Sequence, residues 1–489
     1  MDSTTYGLWL VHMTALCGLA LYGVHRIWLL ILWRRLPPQP SPPAMVCDAS
    51  VPWVTIQLPL YNERFVAKRL IDATAALTWP RDRLEIQVLD DSTDHTRSIV
   101  DERVTHFRDQ GVDIRVFRRT NRMGFKAGAL AQGLQQAKGS LIAVFDADFV
   151  PGTDFLLRTV PCFSHKDIGM VQCRWGFLNE DHSWLTRIQA IMLASHFRIE
   201  HRVRHHFGMC FNFNGTAGIW RKEALIDAGG WQADTVTEDL DISYRAQLKG
   251  WRFVYVDDYT VPSELPTTLD AFRNQQKRWT KGSIQTARKL LPRIVFSNTL
   301  TPTAKLEATA HLLANLGWLL CLIMTLTLYP AVTMSRTLIP PLLLQVGIGL
   351  FFFSSGAVLF YFLVFALTYH KSSVRILPLI PLLSIGMAPV LSLSVISGLF
   401  TRGGTFVRTP KYGVPSRTRL SGLFRVYQRP SLGAMAINLP IFIYTLFPVW
   451  FLWQTRQWTV VFPLLFPVGF VWIMVKDLLD SLNVNSGHP

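Results

Sequence analysis

Leu141-Ile142-Ala143-Val144-Phe145-Asp146-Ala147-Asp148 is a run of five apolar residues that ends in two carboxylates. A run this short with no polar face reads as a strand buried on both sides, the place of a central strand in a parallel sheet. Asp146 and Asp148 mark its exit, and in open α/β sheets ligands sit beyond the carboxyl ends of the strands. The pattern recurs at residues 84–89, followed by Asp90-Asp91-Ser92. Further β-type runs at 54–58, 114–117, 170–173 and 253–256 alternate with helical stretches. Strand, helix, strand repeated in this way predicts a doubly wound, Rossmann-like α/β sheet over residues 51–300.

On both sides of this domain the sequence turns apolar. Of 489 residues, 49% are hydrophobic and 17% charged, against about 25% charged in soluble proteins. Disordered, collagen-like and disulfide-scaffold classes are thereby excluded, and a membrane protein with a soluble part remains. The net charge of +16 is assigned to loops facing the cytoplasm, where Lys and Arg accumulate, and no nucleic-acid partner is inferred. Six scattered cysteines without a C-x-x-C pair signal neither zinc nor disulfides.

Residues 1–36 read as a transmembrane anchor whose apolar run ends at Arg34 and Arg35 inside, and 37–50 as a Pro-rich linker. In the carboxy-terminal region 301–489, the runs 306–334, 340–369, 433–453 and 458–475 are long enough to span. The run 374–400 lies between basic groups, His370, Lys371 and Arg375 around its start and Arg402, Arg408 and Lys411 after it, and contains Pro378, Pro381 and Pro389. Both ends therefore belong inside, so it is expected to be interfacial or re-entrant, with the loop 401–416 cytosolic. Two amphipathic stretches, about 184–207 and 270–291, are expected to lie on the membrane surface, and the i, i+4 pair His201 and His205 is read as part of the first rather than as a metal site.

An Asp-x-Asp at a parallel-strand end supplies two hard oxygen ligands with which Mg²⁺ or Mn²⁺ can bridge a diphosphate. No G-x-x-x-x-G-K-[ST] and no G-x-G-x-x-G occurs, so neither a P-loop enzyme nor a dinucleotide enzyme is supported. Downstream stand Thr237-Glu238-Asp239 and Gln275-Gln276-Lys277-Arg278-Trp279.

The order Pro59-Leu60-Tyr61-Asn62-Glu63, Asp90-Asp91, Asp146-Ala147-Asp148, Thr237-Glu238-Asp239, Q-x-x-R-W resembles the processive, inverting family 2 glycosyltransferases, to which cellulose synthase and hyaluronan synthase belong. Gly124-Phe125-Lys126-Ala127-Gly128, Phe213-Asn214-Gly215-Thr216-Ala217-Gly218 and Lys249-Gly250-Trp251-Arg252-Phe253 look closest to the cellulose-synthase-like mannan and glucomannan synthases. Phe406-Val407-Arg408-Thr409-Pro410-Lys411 is similar to the F-x-V-T-x-K gating loop of cellulose synthase, with Arg408 in place of Val.

The resemblance implies a GT-A-type domain with an α-helical transmembrane channel. It would extend a β-1,4-type polysaccharide from GDP-mannose or UDP-glucose on the cytosolic face of a bacterial inner membrane or a plant Golgi membrane. It implies that Tyr61, Glu63 and Asp90 or Asp91 meet the base and ribose, and that Asp146 and Asp148 hold the metal and diphosphate. Asp239, beside Glu238, would be the general base, Arg278 the partner of the leaving diphosphate, and Lys126, Thr409 and Lys411 further phosphate contacts. Gln275 and Trp279 would receive the acceptor sugar. Two other readings predict different outcomes: a single-addition enzyme making a glycolipid such as glucosylceramide, and a non-enzymatic membrane transporter or lipid-binding scaffold.

Overall fold

The computed structural model describes residues 3–38, 51–334, 341–405, 408–413, 433–456 and 462–485. Most of the Pro-rich linker, residues 406, 407 and 414–416 of the 401–416 loop, and the start of the run 458–475 lie outside them.

Seven strands form one sheet in the order β3-β2-β1-β4-β6-β5-β7. They are β1 Val54–Leu60, β2 Leu84–Asp90, β3 Ile114–Phe117, β4 Leu141–Val144, β5 Ile168–Phe177, β6 Gly218–Arg221 and β7 Arg252–Ser263. Every residue of β2 and β4 is buried, as an apolar run covered on both faces requires. The helices Ala67–Ala75 and Thr96–Asp109 cover one face through Leu70, Ile71, Val100 and Val104. Phe125–Gln136 and Glu238–Leu248 cover the other through Leu130, Leu134 and Ile242.

β1 through β4 pair in parallel, but β6 runs antiparallel between β4 and β5, so the sheet is mixed. Its four residues begin with Gly and end with Arg, too short and too polar for a strand to be read from the sequence. In register it sets Gly218 opposite Val144, which brings residues 213–217 beside the carboxyl end of β4.

Among the described residues five helices are long and apolar enough to cross a membrane by length and composition: Tyr6–Arg34, Leu316–Thr333, Gln345–Tyr369, Leu379–Phe400 and Gly433–Gln454. The helix Leu379–Phe400 is continuous through Pro389. Leu465–Asn485, which overlaps the run 458–475, carries Lys476, Asp477 and Asp480 in its second half and falls outside this set.

The stretch 184–207 folds as the helix Trp184–Ser195, a π-helical turn His196–His201 and the helix Arg202–His206. A capping box between Ser183 and Thr186 starts it. Its apolar residues Leu185, Ile188, Ile191, Ile199 and Val203 pack with Leu29, Leu30 and Phe365 from the first and third of the apolar helices. Beside this contact lies a buried ionic network. Arg204 Nε donates to Glu307 Oε1 at 2.8 Å and its Nη2 to Glu200 Oε2 at 3.0 Å. His25 Nε2 meets Glu307 Oε2 at 2.8 Å, and Arg26 reaches Glu200. Two carboxylates thus bind two guanidinium groups across three segments of chain, and Arg204 and Glu307 are almost wholly shielded from solvent.

Removing one member of such a network strands its partner's charge. Glu307→Ala is accordingly expected to lower stability by about 3–5 kcal/mol, read as a fall in the thermal midpoint of the detergent-solubilised protein. A midpoint within a degree of the parent would show that Arg204 finds another partner.

Candidate active site

The sheet lays the acidic residues out in sequence along its carboxyl edge. Asp91 follows β2, Tyr61 and Glu63 follow β1, Asp146 and Asp148 follow β4, and the 213–217 turn enters β6. Beyond them Glu238 and Asp239 occupy the first turn of Glu238–Leu248, where the positive end of the helix dipole favours negative charge. The named acids and Tyr61, with Asn214 of the 213–217 turn, line one solvent-open cleft of roughly 1200 Å³, large enough for a nucleotide-sized ligand.

The opposite wall is the helix Leu269–Val295, capped by the Thr268 side chain on the Ala271 N–H at 3.3 Å. Gln275, Arg278 and Trp279 stand at i, i+3 and i+4 on one face of it and all three line the cleft. Gly282 lets this helix approach: a Cβ there would lie 2.3 Å from Thr237 Oγ1. Gln285 Oε1, one turn on, accepts the Val236 N–H at 3.0 Å. The helix and the Thr237-Glu238-Asp239 turn are therefore locked together.

Seven carboxylates and five basic side chains line the cleft, and the pairing between them fixes its shape. Lys126 Nζ donates to Asp146 Oδ1 at 2.5 Å and to the Gly215 carbonyl at 2.9 Å, with Glu238 Oε1 at 3.8 Å. Burial works against its ammonium, but Asp146, Glu238 and Asp239 outweigh that and raise its pKa. Burial pushes the Asp239 carboxyl up to about 7, with the Glu238 charge adding and Lys126 opposing. Burial likewise raises Glu63 to about 8 against the opposing pull of Arg408.

A segment from the distant end of the chain closes the roof. Lys411 Nζ donates to Asp148 Oδ2 at 2.7 Å and to the Glu264 carbonyl, and the Gly413 N–H donates to Glu264 Oε2 at 3.1 Å. Arg408 stands 3.5 Å from Glu63, and Thr409 is buried in the lining. Arg69 holds Glu264 from the other side at 2.7 Å.

Of the residues singled out in the sequence, Tyr61, Glu63, Asp91, Lys126, Asp146, Asp148, Glu238, Asp239, Gln275, Arg278, Trp279, Thr409 and Lys411 all line this cleft. Asp90 lies beneath its floor, fully buried, taking the Ser92 N–H at 3.0 Å and Arg118 Nε at 2.9 Å. Asp91 is the member of the pair that faces the cavity. His201 Nε2 donates to Asn214 Oδ1 at 2.7 Å and so braces the 213–217 turn from behind.

The sequence reading passed over Arg122, Asn214, Glu264 and Arg408 as site residues, although all four line the cleft. Gly215 also matters, at φ +82: a Cβ on it would lie 2.8 Å from Asp239 Oδ2. For Gly215 the signal was present in the quoted Asn214-Gly215-Thr216 motif. For Glu264 there was none, because it comes from the far end of β7.

Among the described residues no group of three or more His, Cys, Asp or Glu side chains forms a metal cage. The donor chemistry nevertheless fits a hard dication. Asp146 and Asp148 present carboxylate oxygens that are already charge-compensated by Lys126 and Lys411, and Mg²⁺ is commonly held by one or two carboxylates plus substrate phosphate and water.

A model of the family described as glycosyltransferase like family 2 matches residues 52–282. These residues form a family 2 glycosyltransferase domain. Probable glucomannan 4-beta-mannosyltransferase 9 of Oryza sativa subsp. japonica is 46% identical over 259 residues, 52% of this chain and 49% of that one. Glucomannan 4-beta-mannosyltransferase 2 of Arabidopsis thaliana is 46% identical over 253 residues, 51% of this chain and 47% of that one. The chain spans about half the length of these curated relatives. Among solved structures, the mannosyltransferase PcManGT of Pyrobaculum calidifontis, in complex with GDP-Man and Mn²⁺, superposes with a TM-score of 0.53 at 19% identity, covering 80% of this chain and 99% of that one. The fold of the glycosyltransferase domain is therefore shared well beyond sequence similarity.

Within this domain Gly215→Ala would impose a left-handed conformation on an L residue, costing about 1–2 kcal/mol, and drive the Asp239 carboxylate off its position. A lower thermal midpoint together with a displaced Asp239 titration is expected. Both unchanged would show that the turn absorbs the methyl group.

Proposed function

We propose that the protein is a membrane-embedded, inverting β-glycosyltransferase that extends a β-1,4-linked mannan or glucomannan from GDP-mannose. The observation that carries this reading is the single cleft in which Asp239 faces the Asp146 and Asp148 pair, with Gln275, Arg278 and Trp279 on the wall between the cleft and the apolar helices. The glucomannan 4-beta-mannosyltransferase relatives support the product class, and the GDP-Man complex of the mannosyltransferase with the same fold supports the donor.

In this reading Asp239 accepts the proton of the acceptor hydroxyl as its oxygen attacks the anomeric carbon, and the bond from that carbon to the diphosphate breaks on the opposite face. One displacement inverts the centre. Arg278, Lys126 and Lys411 offset the charge that builds on the leaving diphosphate, a role for which fixed cations in a water-poor cleft are suited. Mg²⁺ or Mn²⁺ held by Asp146 and Asp148 would add charge neutralisation at the diphosphate. Trp279 offers a flat indole face for the acceptor sugar, with Gln275 to hydrogen-bond it.

The glycosyltransferase domain is proposed to lie on the cytosolic side, with the growing polysaccharide passing through the apolar helices. Arg34 and Arg35 behind the first helix support this orientation. The helix Leu379–Phe400 is proposed to lie at the interface or re-enter from it. It is the most buried of the five apolar helices, and it runs against the Leu269–Val295 helix that carries the acceptor wall.

Incubation of the purified protein with Mn²⁺ and labelled GDP-mannose or UDP-glucose is expected to give a high-molecular-weight product from GDP-mannose that mannanase degrades. Label recovered only in a lipid phase would overturn the polymer reading. Asp239→Asn is expected to reduce turnover by about 10²–10⁴-fold while GDP binding is kept; undiminished turnover would remove Asp239 as the base. Because burial raises that carboxyl to about 7 and the base must be ionised, kcat/KM should rise with pH through about 7 and flatten above it. A flat profile between pH 5.5 and 8.5 would contradict the assignment.

A further inference from the structure

We propose that Arg122 reads the nucleobase of the donor and selects 6-oxopurine diphosphates, those of guanine type, over adenine and pyrimidine ones, an inference that rests on the nucleotide-sugar reading above. The sheet order supplies the geometry. β1 adjoins β4 and β2 lies one strand further out, so Tyr61 and Asp91 stand about 5 and 10 Å along the edge from Asp146, on the side away from Asp239. A nucleoside diphosphate with its phosphates at Asp146 and its sugar toward Asp239 must extend its base to this end.

There the guanidinium of Arg122 lies over the Tyr61 ring, 3.2 Å from its centroid, with the Phe125 ring 5.3 Å away. The Arg122 side chain is only 26% exposed. Its Nε is buried without a hydrogen-bond partner and stands 3.9 Å from Asp91 Oδ2. A planar donor group inside a ligand cleft with a buried N–H left unmatched is a recognition edge awaiting an acceptor.

The backbone that presents it is held in an unusual shape. Gly124 at φ +72 and Phe125 at φ +49 are two successive left-handed residues, the second a bulky side chain that rarely adopts this conformation. Arg119 maintains the turn by donating to the carbonyls of Met123 and Phe125, each at 2.8 Å, while its Nε donates to Asp91 Oδ1 at 2.9 Å. Gly128 admits the turn, since a Cβ there would overlap the Met123 carbonyl. Strain held by specific contacts next to a ligand cleft is characteristic of functional segments.

The chemistry of the fork decides which base it suits. A base in the plane of the guanidinium meets adjacent N–H groups, which match the O6 and N7 acceptors of guanine. Adenine presents a donor where guanine has O6, and uracil offers one acceptor on the corresponding edge.

The test is competition of GDP, IDP, ADP and UDP against a fluorescent GDP on the full chain in detergent, with Arg122→Ala and Arg122→Lys. Inosine keeps O6 and N7 and lacks the guanine amino group. The parent is expected to bind GDP and IDP alike and more tightly than ADP or UDP. In both variants GDP and IDP should weaken by about 10-fold or more while UDP changes by less than about 3-fold, since Lys retains the charge but not the fork. Equal weakening of GDP and UDP with rescue by Lys, or an unchanged GDP to UDP ratio, would overturn the role of Arg122 and leave the nucleotide-sugar reading standing. A parent that binds none of the four would overturn both, and a parent that prefers ADP or UDP would overturn 6-oxopurine selection.

Discussion

The ammonium group of Lys126 is the contact on which the cleft depends. It sits between a carboxylate that follows β4, a carboxylate from the first turn of the Glu238–Leu248 helix and a carbonyl of the turn that enters β6. Those three elements come from residues almost a hundred positions apart, and like charges brought this close in a shielded cleft would otherwise push them apart. Without that cation one or more of these acids would have to take up a proton or move. Lys411 does the same for Asp148 from the far end of the chain. The architecture of the cleft thus rests on the pairing of its own charges.

Much of this was legible in the chain because strand exits announce themselves. Apolar runs such as Leu141–Val144 can be read as buried strands, and an acid immediately after one has to be at an edge. The acidic motifs that follow these strands then fall along one wall of the cleft. What the sequence withheld is instructive in physical terms. β6 is four residues long and its neighbours, not its composition, make it a strand. Thr55, Gln57, Glu85 and Gln87 are polar residues inside β1 and β2, buried because they bond one another, Thr55 to Glu85 at 2.7 Å and Gln57 to Gln87 at 3.0 Å; no periodicity reveals such a pairing. Asp90 and Asp91 are adjacent and chemically identical, and the alternation of the strand sends one beneath the floor and the other into the cavity. Lys411 and Glu264 meet in the cleft only because two segments about 150 residues apart are folded together, a proximity that tertiary structure alone supplies.

The ionic network at Arg204, Glu200 and Glu307 has a different character from the cleft. Its charges balance and little solvent reaches them, so it contributes geometric definition more than net stabilisation. Located where the His196–His201 turn and the Arg202–His206 helix meet the first apolar helix, it fixes the orientation of the glycosyltransferase domain against the apolar bundle. His201, at the end of the π-helical turn beside this network, bonds to Asn214 in the cleft lining. A chain of direct contacts therefore runs from the first apolar helix to the turn that faces Asp239.

The Leu269–Val295 helix is tied at both ends of its working face. Arg273 bonds to Asp477 at 2.8 Å and the Leu269 N–H to Asp480 Oδ2 at 3.1 Å on the last helix, while Gln285 Nε2 donates to the Gly403 carbonyl at 2.8 Å. Each residue of an α-helix advances the next by about 100°. Insertion of a single residue between Arg273 and Gln275 would therefore swing Gln275, Arg278 and Trp279 away from the cleft while the ties held the flanks still. The helix acts as a keyed shaft, and change in chain length is accommodated only outside its two anchoring points.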